Sequence, residues 1–203
     1  MSIDVQDYKS WIEKFIKRED NREINYQNDV VKRLLEELFK EYDIVYVDTK
    51  GPDSNSHDYC AYSGMYEDKD KDDNKKIKPT TPDLLICKNW NWYNKNNESI
   101  QYIATVEVKS PFSKEAIYKK KKEEYPESLK IKVERHLAAT KIKRVIYTDA
   151  FKWDFYVDTY DNCETIELVE CVKKGRGYTF KWRDDLEEQF KLLKAKLEEF
   201  LKV

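Results

Sequence analysis

Two carboxylates and an amine stand where apolar strands begin and end. Pro82-Asp83 opens the run Asp83-Leu-Leu-Ile-Cys87, and Glu107-Val-Lys109 closes Ile100-Gln-Tyr-Ile-Ala-Thr-Val-Glu-Val108. Side chains two apart on a strand share a face, so Glu107 and Lys109 project together. If the two strands are neighbours, Asp83 meets Glu107 at one end of a sheet. Two carboxylates there make a hard oxygen site suited to Mg²⁺ or Mn²⁺, with waters and substrate phosphate completing the shell. A lysine beside them can orient or deprotonate the attacking water. Cation and lysine together neutralise a phosphodiester during in-line attack.

Acidic-x-Lys triplets are common in so charged a chain, and context must separate them. Asp7-Tyr-Lys9 lies in a helical pattern, while Glu67-Asp-Lys69 and Asp73-Asn-Lys75 lie in a run of charge. A second Pro-Asp, Pro52-Asp53, leads into Ser-Asn-Ser rather than a strand. Ionisable groups on apolar strands are costly unless they are paired or ligate something. A rim salt bridge between Glu107 and Lys109 is the plain alternative.

The elements that must position these residues follow from periodicity. Apolar residues at helical spacing predict helices over about 4–17 and 22–42, the second with Ile24, Val31, Leu34, Leu35, Leu38, Phe39 and Tyr42 on its buried stripe. Ile44–Val47 reads as a first strand. Residues 50–80 read as a long polar insertion loop, with a charge run at 66–76. The two motif strands follow, separated by a polar and aromatic hairpin tip carrying Trp90, Trp92 and Tyr93. A helix is predicted over about 127–140, then strands at Arg144–Thr148, Lys152–Val157 and near Thr165–Val172. An amphipathic helix over 184–202 ends the pattern. This order predicts one domain over 1–203 of the α/β (α+β) class, a central mixed sheet flanked by helices.

With these residues in place, the chain resembles the PD-(D/E)XK nuclease superfamily, through Pro82-Asp83 and Glu107-Val-Lys109. A second likeness is Tyr147-Thr-Asp-Ala-Phe-Lys-Trp-Asp-Phe-Tyr156, which is similar to a hairpin in the nuclease domains of type I restriction motor subunits. Ala150 stands there where glycine is usual, which puts the shape of the turn in question. The resemblance covers about residues 22–158 and implies a restriction-endonuclease-like fold and hydrolysis of DNA, with RNA not excluded. It implies that Asp83 and Glu107 bind Mg²⁺ or Mn²⁺ with help from the Val108 carbonyl, while Lys109 activates or orients water. Products would carry 5′-phosphate and 3′-hydroxyl ends. The family adds a Glu or another polar residue from the early helix. Glu23 and Gln27 are the candidates, and register against Val30-Val31 and Leu34-Leu35 favours Gln27, a neutral amide. From the later helix the family offers a group to the scissile phosphate, for which Lys132, Arg135 and His136 are available.

Composition bounds the rest. Lys and Arg number 38 against 40 Asp and Glu, a net charge of −2 that excludes coating of DNA by the whole surface. Yet Lys114 and Lys119 to Lys122 gather just after Lys109, so Lys114, Lys119, Lys120 and Arg135 are candidate nucleic-acid contacts. An aromatic content of 14% excludes a disordered tail protein. Cys60, Cys87, Cys163 and Cys171 form no Cys-x-x-Cys pair and read as reduced thiols. His57, in the polar loop, is a weak candidate ligand. No apolar run approaches a membrane helix and no secretory signal is visible, so a cytoplasmic protein is expected. A binding module, a nuclease fold that serves or inhibits a protein partner, is the rival reading. The C-terminal helix would allow a homodimer under either.

Overall fold

A computed structural model describes residues 3–46, 65–69, 75–79, 81–91, 98–113, 126–138, 142–174 and 177–202. Helix α1, Val5–Lys17, starts at a capping box. The Asp4 side chain accepts from the Gln6 and Asp7 N–H groups while Asp7 reaches back to the Asp4 N–H. Glu23–Tyr26, Gln27–Lys32 and Arg33–Leu38 follow one another as helix α2, whose middle six residues are π-helical. The helix stops at Leu38, short of the predicted residue 42, because Phe39 leaves helical geometry at φ −128° and ψ 73°.

Strand β1, Asp43–Tyr46, is followed by β2, Met65–Lys69, and β3, Lys75–Pro79, which pair antiparallel as a separate ribbon. This hairpin lies inside the 50–80 stretch expected to be loop, most of which falls outside the described residues. Next come β4, Leu84–Lys88, and β5, Gln101–Val108, then helix α3, Pro126–Leu137. Strands β6, Arg144–Thr148, β7, Lys152–Val157, and β8, Thr159–Glu167, precede a ribbon of β9, Val169–Lys174, and β10, Gly177–Trp182. Helix α4, Leu186–Leu201, completes the order. The single strand expected near 165–172 is thus the end of β8 and the start of β9. Its largely exposed, polar first half left no apolar alternation to read.

The six-stranded sheet runs β1-β4-β5-β6-β7-β8. Every neighbouring pair is antiparallel except β5 and β6, which are parallel. The connection carrying α3 makes that parallel pairing possible, since parallel strands need a crossover. The molecule is therefore a mixed α/β (α+β) fold with a six-stranded mixed sheet flanked by helices.

Alternation along the strands sorts the core. Leu84, Ile86, Val106, Val108 and Ile146 join residues of α1, α2 and α4 in the main cluster. On the opposite side Val145, Tyr147 and Tyr156 pack with Val133 and Leu137 of α3. Strand β5 is buried on both faces over its last six residues. Trp90 packs partly buried against Val45, Leu85, Cys87, Ile100 and Ile142, while Trp92 and Tyr93 fall outside the described residues. No described helix is long and apolar enough to cross a membrane.

The turn between β6 and β7 is tightly tied. Asp149 accepts from the Phe151 and Lys152 N–H groups, and Thr148 Oγ1 accepts from the Ala150 N–H and donates to the Lys152 carbonyl. Ala150 itself sits at φ 67°, the left-handed region glycine favours. The turn thus keeps a glycine-type geometry in spite of the methyl group. Tyr8 Oη donates to the Ala150 carbonyl at 2.7 Å, anchoring the turn to α1.

Candidate active site

Strand pairing places the three ionisable groups. Leu84 faces Val106 in the β4–β5 register. Proline cannot donate to a ladder, so pairing ends there, and the Asp83 carboxylate takes over: Val108 N–H donates to Asp83 Oδ2 at 2.7 Å. Glu107 and Lys109 leave the end of β5 on one side, with Lys109 Nζ 2.9 Å from Glu107 Oε1 and 3.8 Å from Asp83 Oδ2. The same ammonium donates to the Val108 carbonyl at 2.8 Å. Beyond the strand, Lys109 N–H donates to the Thr148 carbonyl at 2.9 Å, so β6 and its turn fix the backbone from which the lysine projects.

Helix α2 supplies two further groups from one side. Glu23 Oε1 lies 3.5 Å from Lys109 Nζ, and buried Gln27 donates from Nε2 to the Asp83 carbonyl at 3.0 Å. The early helix therefore contributes a carboxylate and an amide, with Gln27 bracing the Asp83 backbone and Glu23 facing the lysine. The π-helical turn begins at Gln27, and such turns recur at functional sites.

Helix α3 closes the other side. Lys132 Nζ is 4.0 Å from Glu107 Oε1, and His136 Nε2 is 3.5 Å from Glu107 Oε2. Arg135, half-buried on the same helix, is not among the cations that contact Glu107. Lys114, Lys119, Lys120 and His57 lie outside the described residues. The Thr148 carbonyl, which sets Lys109, was not a sequence candidate. A backbone acceptor leaves no mark in residue type, though the Thr-Asp-Ala turn it belongs to does.

The surroundings drive the two carboxylates apart. Burial, then the neighbouring Glu107 charge, push Asp83 up to about 7 against the pull of Lys109 and the Val108 N–H. Burial acts in the same sense on Glu107, but His136 and Lys109 outweigh it and hold that carboxyl down to about 2. Burial also opposes the Lys109 charge, yet Glu107, Asp83 and Glu23 raise its pKa above the usual lysine range. Lys109 is accordingly a fixed cation in this arrangement.

Among the described residues, no group of three or more His, Cys, Asp and Glu side chains is arranged to hold a metal by itself. Two carboxylates and a main-chain carbonyl converging on one ammonium are a different donor set. They suit Mg²⁺, which commonly takes one or two protein carboxylates and fills its octahedron with water and phosphate. In comparisons with known proteins, no protein-family profile, curated protein or solved structure matches the chain.

Proposed function

We propose that this chain is a Mg²⁺- or Mn²⁺-dependent nuclease of the PD-(D/E)XK kind that hydrolyses DNA phosphodiesters. One observation carries the reading. Asp83, Glu107 and Lys109, from two adjacent strand ends, meet with the lysine ammonium 2.9 and 3.8 Å from the two carboxylates. The element order supports it, since α2, β1, β4, β5, α3 and β6 follow the helix, three strands, helix and strand of that superfamily.

In this reading Asp83, Glu107 and the Val108 carbonyl hold the divalent cation. When bound, that ion polarises the phosphoryl oxygens and lowers the pKa of water. The chain's own residues do the remainder. Val108 N–H fixes the Asp83 carboxylate, and Gln27 holds the Asp83 backbone. Lys109, in reach of both carboxylates, would orient the attacking water, and its fixed charge would stabilise the developing negative charge. Glu23 keeps that cation at the site. Lys132, on the rim of α3, is placed to meet an adjacent phosphate.

The test is cleavage of linear duplex, supercoiled circle, single-stranded DNA and RNA, with Mg²⁺, Mn²⁺ or chelator. Asp83→Ala and Lys109→Ala are each expected to lower the rate by about 10³-fold, the scale of losing one preorganised electrostatic contact. Cleavage that survives both substitutions overturns the assigned site. No cleavage of any substrate, with no calorimetric signal for either cation, transfers the fold to the protein-binding role.

A further inference from the structure

Building on that metal-dependent reading, we propose that His136 is a positioning residue that makes Glu107 present a single oxygen, and thereby sets which divalent cation the site accepts. The two oxygens of Glu107 have different neighbours. Oε1 faces Lys109 at 2.9 Å and Lys132 at 4.0 Å, whereas Oε2 faces His136 Nε2 at 3.5 Å. Oε1 is thus turned towards the ammonium that also meets Asp83, and Oε2 is turned away into α3.

The imidazole is built into the fold. His136 is 4% exposed, and its other nitrogen, Nδ1, is buried without a hydrogen-bond partner. A proton on Nδ1 would leave a buried donor unpaired, so the contacts place it on Nε2, facing Glu107 Oε2. Val133 and Leu137, on either side in sequence, are core residues packed with Val145, Tyr147 and Tyr156. The helix turn that carries His136 is therefore held by packing and does not follow the carboxylate if it rotates.

On the Asp83 side, Oδ2 accepts the Val108 N–H and is also the oxygen that faces Lys109 Nζ, at 3.8 Å. On Glu107, Oε1 alone is presented towards the ammonium shared with Asp83, while Oε2 faces His136. That arrangement suits a small cation in octahedral coordination. Ca²⁺ takes six to eight oxygens and gains from bidentate carboxylates, so a Glu107 pinned at Oε2 selects against it. Freeing Oε2 should relax that selection, as loss of an outer contact to a metal ligand changes affinity by about 10–100-fold.

Calorimetric titration of Mg²⁺, Mn²⁺ and Ca²⁺ into wild type, His136→Leu and His136→Gln tests this without reference to activity. In His136→Leu the affinity for Ca²⁺ relative to Mg²⁺ is expected to rise about tenfold, whereas His136→Gln, which retains a donor, stays near wild type. An unchanged ratio in a folded His136→Leu protein overturns the proposal. The Mg²⁺-minus-apo infrared difference spectrum of wild type is an independent readout that needs no variant. A carboxylate splitting typical of one-oxygen ligation is expected, and a bidentate splitting overturns the assignment. Wild type that binds none of the three cations defeats the underlying metal-dependent reading. Binding with an unaltered ratio defeats only the role of His136.

Discussion

Ion pairs on the outer faces of the helices and those at the strand ends use the same residue types in opposite settings. Lys130–Glu134 on α3 runs i to i+4 at 3.6 Å, with side chains 48% and 49% exposed. At the end of β5, Lys109 and Glu107 are 9% and 11% exposed, with two more carboxylates in reach of the same ammonium. An exposed helix pair is worth about 0.3–0.5 kcal/mol because water and salt already solvate both charges. Removing one partner of a buried pair costs about 3–5 kcal/mol, because the other charge stays behind without compensation. A net charge of −2 thus averages two populations, one that keeps the surface solvated and one that is held out of water at the strand ends.

Substitutions can break this contrast. Lys109→Met is expected to lower apo stability by about 3 kcal/mol in urea unfolding with chelator, since Glu107, Asp83 and Glu23 lose their shared cation. Added Mg²⁺ should then raise the midpoint further in the variant than in wild type. A loss no larger than that of Lys130→Met would remove the distinction between the two regions.

Protonation sharpens it. Asp83 in the folded chain binds its proton more tightly than a free carboxylate, so its effect is destabilising above about 7. That penalty fades as pH falls through 7 towards the ordinary carboxylate value near 4. The apo melting temperature is therefore expected to rise between pH 8 and pH 6, and Asp83→Asn should flatten the change. Glu107 acts in the reverse sense, contributing stability above the ordinary carboxylate range that is lost as pH falls through about 2. A melting temperature that falls from pH 8 to pH 6 with the same slope in Asp83→Asn would refute the assignment.

Smaller effects complete the series. Ala150→Gly should relieve about 1–2 kcal/mol of left-handed strain and lose a buried methyl worth about 0.8 kcal/mol. The net gain is about 0.5 kcal/mol in chemical denaturation. Lys130→Met on the outer face of α3 should change stability by less than about 0.5 kcal/mol.

The clustering of Asp83, Glu107 and Lys109 was more legible in the sequence than the periphery, for a physical reason. Asp83, Glu107 and Lys109 stand out because charge is expensive on an apolar strand, and that contrast survives in one dimension. Continuous apolar runs gave β4, β5, β6 and β7 for the same reason. The β2–β3 ribbon, from Met-Tyr-Glu-Asp-Lys and Lys-Lys-Ile-Lys-Pro, carries no such alternation, because backbone ladders form without it. The polar edge strand β8 was hidden likewise. The early-helix register presumes an α-helical step, whereas Gln27–Lys32 is π-helical, which changes the angular step between Glu23 and the Leu34-Leu35 stripe. Among Lys132, Arg135 and His136, only the distance to Glu107 could distinguish the residues, and no spacing rule contains it.

The hydrogen bond from Lys109 N–H to the Thr148 carbonyl also has a consequence for biosynthesis. The backbone of Lys109, just past the end of β5, is not fixed until α3 has crossed over and β6 has docked, a non-local step whose loop-closure entropy falls late. A nascent chain that has formed only the β1, β4 and β5 meander holds both carboxylates but has no anchor for the lysine. The meeting of the lysine with both carboxylates is thereby postponed until most of the sheet has assembled.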